Sequence, residues 1–232
     1  MGAQWKQKGR EQSADAKGRL FSKLAKEIII AAKGGAELAA NAKLRMAVEA
    51  ARKQSMPRDT LERAIKKGSG QLDDGANFET VTYEGYAPHQ VPVIAECLTD
   101  NKKRTAPNMR ALFRKGQMGA SGSVSWDFVR CGAIDASPPA AGEEAEEAAI
   151  EAGAQDVEAT DEGAWRFTTE PEDLDLVSKA LSARGWNVSA ASLDWVAKNP
   201  VELEGAEREE VEAFLAAIDE DDDVQKLYVG LR

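Results

Sequence analysis

The sequence predicts an α+β protein: a basic N-terminal three-helix bundle followed by two α/β domains, the last a ferredoxin-like insertion into the other. Three observations carry this expectation. Apolar residues recur at helical spacing from Leu20 to Ile65, β-branched and aromatic runs begin after Phe78, and beyond Gly132 a strand–helix–strand–strand–helix–strand order is legible. The boundaries drawn from these shifts are 1–75 for the bundle with a mobile N-terminal tail, 76–132 plus 200–232 for the central α/β domain, and 133–199 for the acidic ferredoxin-like domain.

Residues 1–18 are polar and contain Gly and Gln. Trp5 stands there among Lys6, Lys8 and Arg10, placed either to stack on a nucleic-acid base or to dock on the protein's own surface. From Lys17 to Lys33 a helix gathers Leu20, Phe21, Leu24, Ile28, Ala31 and Ala32 on one side and Arg19, Lys23, Lys26 and Lys33 on the other, with Ile30 out of pattern on the basic side. Gly34-Gly35 stops it. A second helix at 41–54 aligns Leu44, Ala47, Val48 and Ala51 opposite Arg45 and Arg52. A third at 57–67 starts with a Pro suited to a first helical turn. It points Leu61 and Ile65 inward, and keeps Arg58, Arg63, Lys66 and Lys67 outside. Residues 68–77 read as a linker.

Residues 80–86 and 91–99 form two strands joined by the turn Ala87-Pro88-His89-Gln90, with Pro92 at a strand entry or edge. Thr105 is expected to cap a helix reaching Lys115, with Met109, Leu112 and Phe113 inside and Arg110, Arg114 and Lys115 outside. A third strand is expected at 121–128. Then follow strand 132–135, helix 143–153, strands 155–160 and 164–170, helix 171–185 and strand 188–198, the ferredoxin-like order. Helix 207–218 and strand 225–231 cannot form a domain alone, so they are expected to return to the 78–128 sheet.

The net charge of −10 is unevenly spread. Residues 1–75 hold 16 Lys and Arg against 9 Asp and Glu, whereas residues 133–232 hold 7 against 26. Such a contrast points to one part facing a polyanion and another repelled by it. Lys and Arg neutralise phosphates and release condensed counterions; the cations of the bundle faces and tail are therefore the candidate nucleic-acid contacts.

Catalysis and metal binding find little support. His89, the single histidine, sits in a turn and reads as solvated; Thr99, Asp100 and Asn101 read as a capping loop. No phosphate-binding glycine loop or activated serine is present. Cys97 and Cys131 are too few for a disulfide framework or a cysteine zinc site, and the run Asp219–Asp223 lacks calcium-loop spacing and reads as a solvated helix end. No apolar run approaches the ~20 residues of a membrane span and no secretory leader is recognisable, so the cytoplasm is expected. No base-reading helix or helix-turn-helix signature stands out.

Four runs carry a resemblance: MPRDTLERAIKKGSG at 56–70, YEGYAP at 83–88, AECLTDNKKRT at 95–105 and GSVSWDF at 122–128. In order and spacing the whole chain resembles the YebC/PmpR family, which includes the mitochondrial translational activator of a cytochrome oxidase subunit. The resemblance implies a three-domain YebC-like architecture and transcriptional regulation through DNA binding. For some relatives it implies action on translation instead, through ribosomal or messenger RNA and ribosomal proteins. The residues weighed above lead to the expectation of no enzymatic activity and no cofactor. Two departures stand out: MGAQWKQKG replaces the frequent Gly-His-Ser-Lys-Trp opening, and Ala87-Pro88-His89-Gln90 replaces a turn that is often Gly-Pro-Gly-Gly.

Overall fold

In a computed structural model, described over residues 14–72, 77–139, 142–160 and 163–232, the chain forms two compact units. The first runs through Asp127 and resumes from Ala197 to Arg232; the second is Phe128–Val196. Trp5, Lys6, Lys8 and Arg10 lie outside the described residues.

The first unit opens with α1 (Ala14–Ala32), α2 (Ala42–Lys53) and α3 (Arg58–Gly68). Asn41 starts α2: its Oδ1 accepts the Leu44 N–H at 3.0 Å, while its amide donates to Ala31 O at 2.7 Å and Gly35 O at 2.8 Å, tying the end of α1 to the start of α2. The α2 terminus is a Schellman turn, with Met56 N–H on Ala51 O and Ser55 N–H on Arg52 O, and Ser55 at φ 60°. Ile28, Ala32, Leu44, Val48, Ala51, Met56, Leu61 and Ala64 form the buried bundle core. Its tightest point is Gly68, where a Cβ would fall 2.3 Å from Ile29 O and 2.6 Å from Ala32 Cβ; only glycine lets α3 close on α1 there.

The same unit holds a sheet of β1 (Glu79–Tyr86), β2 (Pro92–Thr99), β3 (Gln117–Met118) and β8 (Val224–Val229), in the order β3-β1-β2-β8 and antiparallel throughout. Helices α4 (Lys102–Leu112) and α7 (Gly205–Asp219) pack on it through Met109, Val211, Leu215 and Ile218, and Phe113 meets Phe214 edge-on at 5.5 Å. Thus α7 and β8 do return to the sheet begun at Glu79.

Two local expectations fail here. Asn101, not Thr105, caps α4, because Asn101 Oδ1 accepts the N–H groups of Lys103 and Arg104. Thr105 is buried inside the helix, its Oγ1 2.8 Å from Asp223 Oδ2. Residues 121–127 are no strand but a loop with a 3₁₀ turn at Ser125–Asp127. Their backbone N–H groups are taken by the Glu84 carboxylate, which accepts from Gly122 at 2.7 Å and from Val124 and Ser125 at 3.0 Å each. Burial would push this carboxyl up, but those donors hold it below the usual carboxylate range.

The second unit contains β4 (Phe128–Ser137), α5 (Ala145–Ala152), β5 (Asp156–Ala159), β6 (Trp165–Thr169), α6 (Leu174–Ala183) and β7 (Asn187–Ala197), whose last residue rejoins the first unit. The strand order β5-β6-β4-β7 is ferredoxin-like. Ile134, Ala148, Phe167, Leu181 and Trp186 fill its core, with Phe167 and Trp186 edge-on at 5.0 Å.

Candidate nucleic-acid interface

The basic face of α1 turns inward. Lys23 Nζ donates to Asp219 O at 2.6 Å and lies 3.1 Å from Asp219 Oδ1, so it meets both the negative C-terminus of α7 and a carboxylate. Lys26 Nζ reaches Asp223 Oδ1 at 2.8 Å, Asp222 O at 2.7 Å and Leu98 O at 3.3 Å, and lies over the Phe78 ring. Arg19 is 3.9 Å from Glu220, and Lys33 donates to Asn77 Oδ1 and Phe78 O. The run Asp219–Asp223 is therefore no solvated helix end. Asp223 is 3% exposed and also takes Arg104 Nη2 at 2.9 Å. Burial alone would push its carboxyl up; hydrogen bonds from Lys26, Arg104 and Thr105 outweigh that and hold it below the usual range.

Most cations of α2 and α3 stay exposed instead. Arg52, Arg63 and Lys66 are exposed, and so are Lys43 and Lys53, which sequence reasoning passed over. None of these five has an ion pair among the described residues. Arg45 is exposed and donates to Leu38 O at 3.3 Å, and Arg58 is paired with Glu62 at 2.7 Å. Lys67 lies 5.1 Å from the Phe78 ring centroid and belongs with the internal set. The candidates thus divide: Arg19, Lys23, Lys26, Lys33 and Lys67 hold the fold, whereas Arg45, Arg52, Arg63 and Lys66 line open helix faces.

A second open basic surface lies on α4 and the 3₁₀ turn Phe113–Lys115 behind it. Lys103, Arg110 and Arg114, at i, i+7 and i+11, share one stripe, all exposed and with no ion pair among the described residues. The signal was legible in the sequence, since Arg110, Arg114 and Lys115 already fall outside the apolar face of that helix.

The return of α7 also redistributes charge. The first unit carries 26 Lys and Arg against 25 Asp and Glu, the second 4 against 15. The positive front end of the sequence is nearly neutralised once folded, and its cations act as local faces rather than as a bulk field.

Little else has reactive geometry. His89 is not merely solvated: its Nε2 lies 2.9 Å from Glu210 Oε2, tying the β1–β2 turn to α7. Cys97 is buried, its thiol pushed up to about 12 by burial, and Cys131 is buried as well. Among the described residues no group of three or more His, Cys, Asp or Glu could hold a metal ion, and no helix is long and apolar enough to cross a membrane.

Comparison with known proteins gives a consistent result. Residues 2–71 match the family model of the TACO1/YebC protein N-terminal domain, and residues 78–231 that of the TACO1/YebC second and third domain. A probable transcriptional regulatory protein of Polaromonas sp. is 61% identical over 100% of this chain and 99% of its own length. One from Pseudomonas syringae pv. tomato is 60% identical, also over 100% and 99%, and one from Bdellovibrio bacteriovorus is 52% identical over the full length of both. The crystal structure of a conserved hypothetical protein from Aquifex aeolicus, 40% identical, superposes with a TM-score of 0.83 over 99% of this chain and 96% of that one.

Proposed function

Because the chain belongs to the TACO1/YebC family, we propose that it is a regulator of gene expression that works by binding a nucleic-acid phosphate chain, without a catalytic step. The observation that carries this reading is the open cationic face of α2 and α3, with Arg45, Arg52, Arg63 and Lys66 exposed while the α1 cations are spent internally. Asp59 and Glu62 interrupt that face on α3, and no side chain there is placed as a bidentate base reader, so the contact is with phosphates. The relatives' name makes transcriptional regulation on DNA the first reading. The second is a ribosome-associated role on RNA, which uses the same phosphate chemistry.

The test is fluorescence anisotropy with a labelled duplex and a labelled single strand across a salt series. The wild-type chain is expected to lose affinity linearly with log salt, and R52E/R63E/K66E to bind weakly with the slope reduced by roughly 3. Unchanged binding by that variant would overturn the proposal in favour of a protein-binding adaptor. Sedimentation of a lysate with ribosomal particles, insensitive to deoxyribonuclease, would select the second reading over the first.

A further inference from the structure

The most exposed aromatic side chain among the described residues is Trp126, at 61%. An indole left in water costs hydrophobic free energy, and here the loop holds it out. Glu84, itself 6% exposed, clamps Gly122, Val124 and Ser125 through their N–H groups; Gly119 N–H bonds Glu84 O; Val124 is fully buried as an anchor; and Gly122 turns the chain at φ 84°. The indole Nε1–H is donated to Ser123 O at 2.9 Å and Lys198 Nζ caps Trp126 O at 2.6 Å. The polar edge of the ring is therefore satisfied from within, and the apolar remainder of the exposed indole is held on a fixed backbone.

The surroundings distinguish an aromatic protein anchor from a base platform. Binding hot spots place a Trp within an apolar, desolvated patch. The loop before Trp126 consists instead of Gly119, Ala120, Ser121, Gly122 and Ser123, and the exposed Arg114 and Lys115 stand just ahead of β3, whose Met118 pairs with Gly85 next to Glu84. An aromatic side chain on the loop that leaves the edge strand β3, with exposed cations on the turn that enters it, is an arrangement that suits a stacked base and its phosphates.

We infer that Trp126, with Arg114 and Lys115, forms a stacking site for an unpaired nucleobase, so that the nucleic acid this protein holds includes a single-stranded segment. This rests on the phosphate-binding reading above and names the form of the strand. A flat π face accepts any base, and neither DNA nor RNA is preferred by the stacking itself.

The full-length chain and its W126A and W126F variants are titrated by anisotropy against fluorescein-labelled U15, dT15 and a 15-base-pair duplex, with circular dichroism as a fold control. W126A is expected to lose ~10-fold on the single strands and nothing on the duplex, and W126F to retain most of the affinity. R114E/K115E should lower single-strand binding and flatten its salt dependence. A tighter complex with U15 than with dT15 would assign the strand to RNA, and the reverse to DNA, each within the proposal. Unchanged single-strand binding by W126A, or an equal loss on duplex and single strand, overturns the stacking site. If R52E/R63E/K66E still weakens binding in that case, the phosphate reading stands without it; if the wild-type chain binds none of the three probes, both fall.

Discussion

Helix α1 and the pair α2–α3 are written in the same pattern, an apolar stripe backed by Lys and Arg, and fold to opposite uses. In α1 the cations close on carboxylates and carbonyls at the end of α7: Lys23 on Asp219, Lys26 on Asp222 and Asp223. In α2 and α3, Arg52, Arg63 and Lys66 remain in water. The difference lies outside the helices, in a tail nearly 200 positions away that supplies a helix C-terminus and an acidic run to the α1 face. A basic helix face is thus a ligand surface only where the fold leaves its counter-charge in solution.

The sharpest way to break this contrast is to reverse one charge on each side. Lys26→Glu would set a carboxylate against the buried Asp223 and is expected to cost about 3–5 kcal/mol, as for other buried pairs that lose a partner. Lys66→Glu, on an exposed face, should stay within about 0.5 kcal/mol of wild type yet weaken nucleic-acid binding. Urea titration of both variants, followed at the first unit, checks the pair. An Lys26→Glu chain as stable as wild type would return α1 to the candidate interface. Acid sharpens the test. The folded Asp223 carboxyl lies below its unfolded value, so its stabilisation is complete above the ordinary aspartate range and drains away as pH falls through the lower, folded value. The Lys26→Glu deficit should shrink in that acid window and the Lys66→Glu behaviour should not.

This contrast also marks where sequence reasoning ended. Element types and the ferredoxin-like order followed from periodicity and turn residues, which are local. The stretch 121–128 misled because Val124, Trp126 and Phe128 alternate as in a strand, while the force that shapes it, the Glu84 carboxylate, acts from a distant strand. The cationic faces were legible as faces. Which of them would be neutralised was not, because Asp219 and Asp223 look from sequence alone like any solvated acidic run. The turn at His89-Gln90 shows the reverse: both residues sit at φ near 60°, a region glycine enters without strain, yet neither is glycine.

A second measurement sharpens the inward side. Glu27 is on the same helix as Lys23 and Lys26; burial pushes its carboxyl up, Lys226 and Lys23 oppose that, and Glu96 adds to it. With its folded pKa above the unfolded one, its contribution to stability is fully present below the unfolded value and is lost as pH rises through the folded value. At neutral pH the charge is a liability, so Glu27→Gln is expected to be more stable than wild type near pH 7 and to lose that advantage in acid. Thermal unfolding at two pH values reads it. A destabilised variant at pH 7 would mean that Glu27 serves Lys226 as a needed counter-ion.

The smallest expected effect lies on the outward side, at the turn that sets α3 against α2. Ser55 closes the α2 Schellman motif at φ 60°, a place where a Cβ is strained and glycine is not. Relief of that strain outweighs the extra entropy of a glycine in the unfolded chain, so Ser55→Gly is expected to stabilise by roughly 0.5 kcal/mol. Because Ser55 is exposed and its hydroxyl makes no hydrogen bond among the described residues, the gain should come with unchanged nucleic-acid affinity and an unchanged salt slope. A loss of affinity in a more stable chain would show that binding needs α2 and α3 to shift at this turn, and that their cations are not held ready as the folded chain presents them.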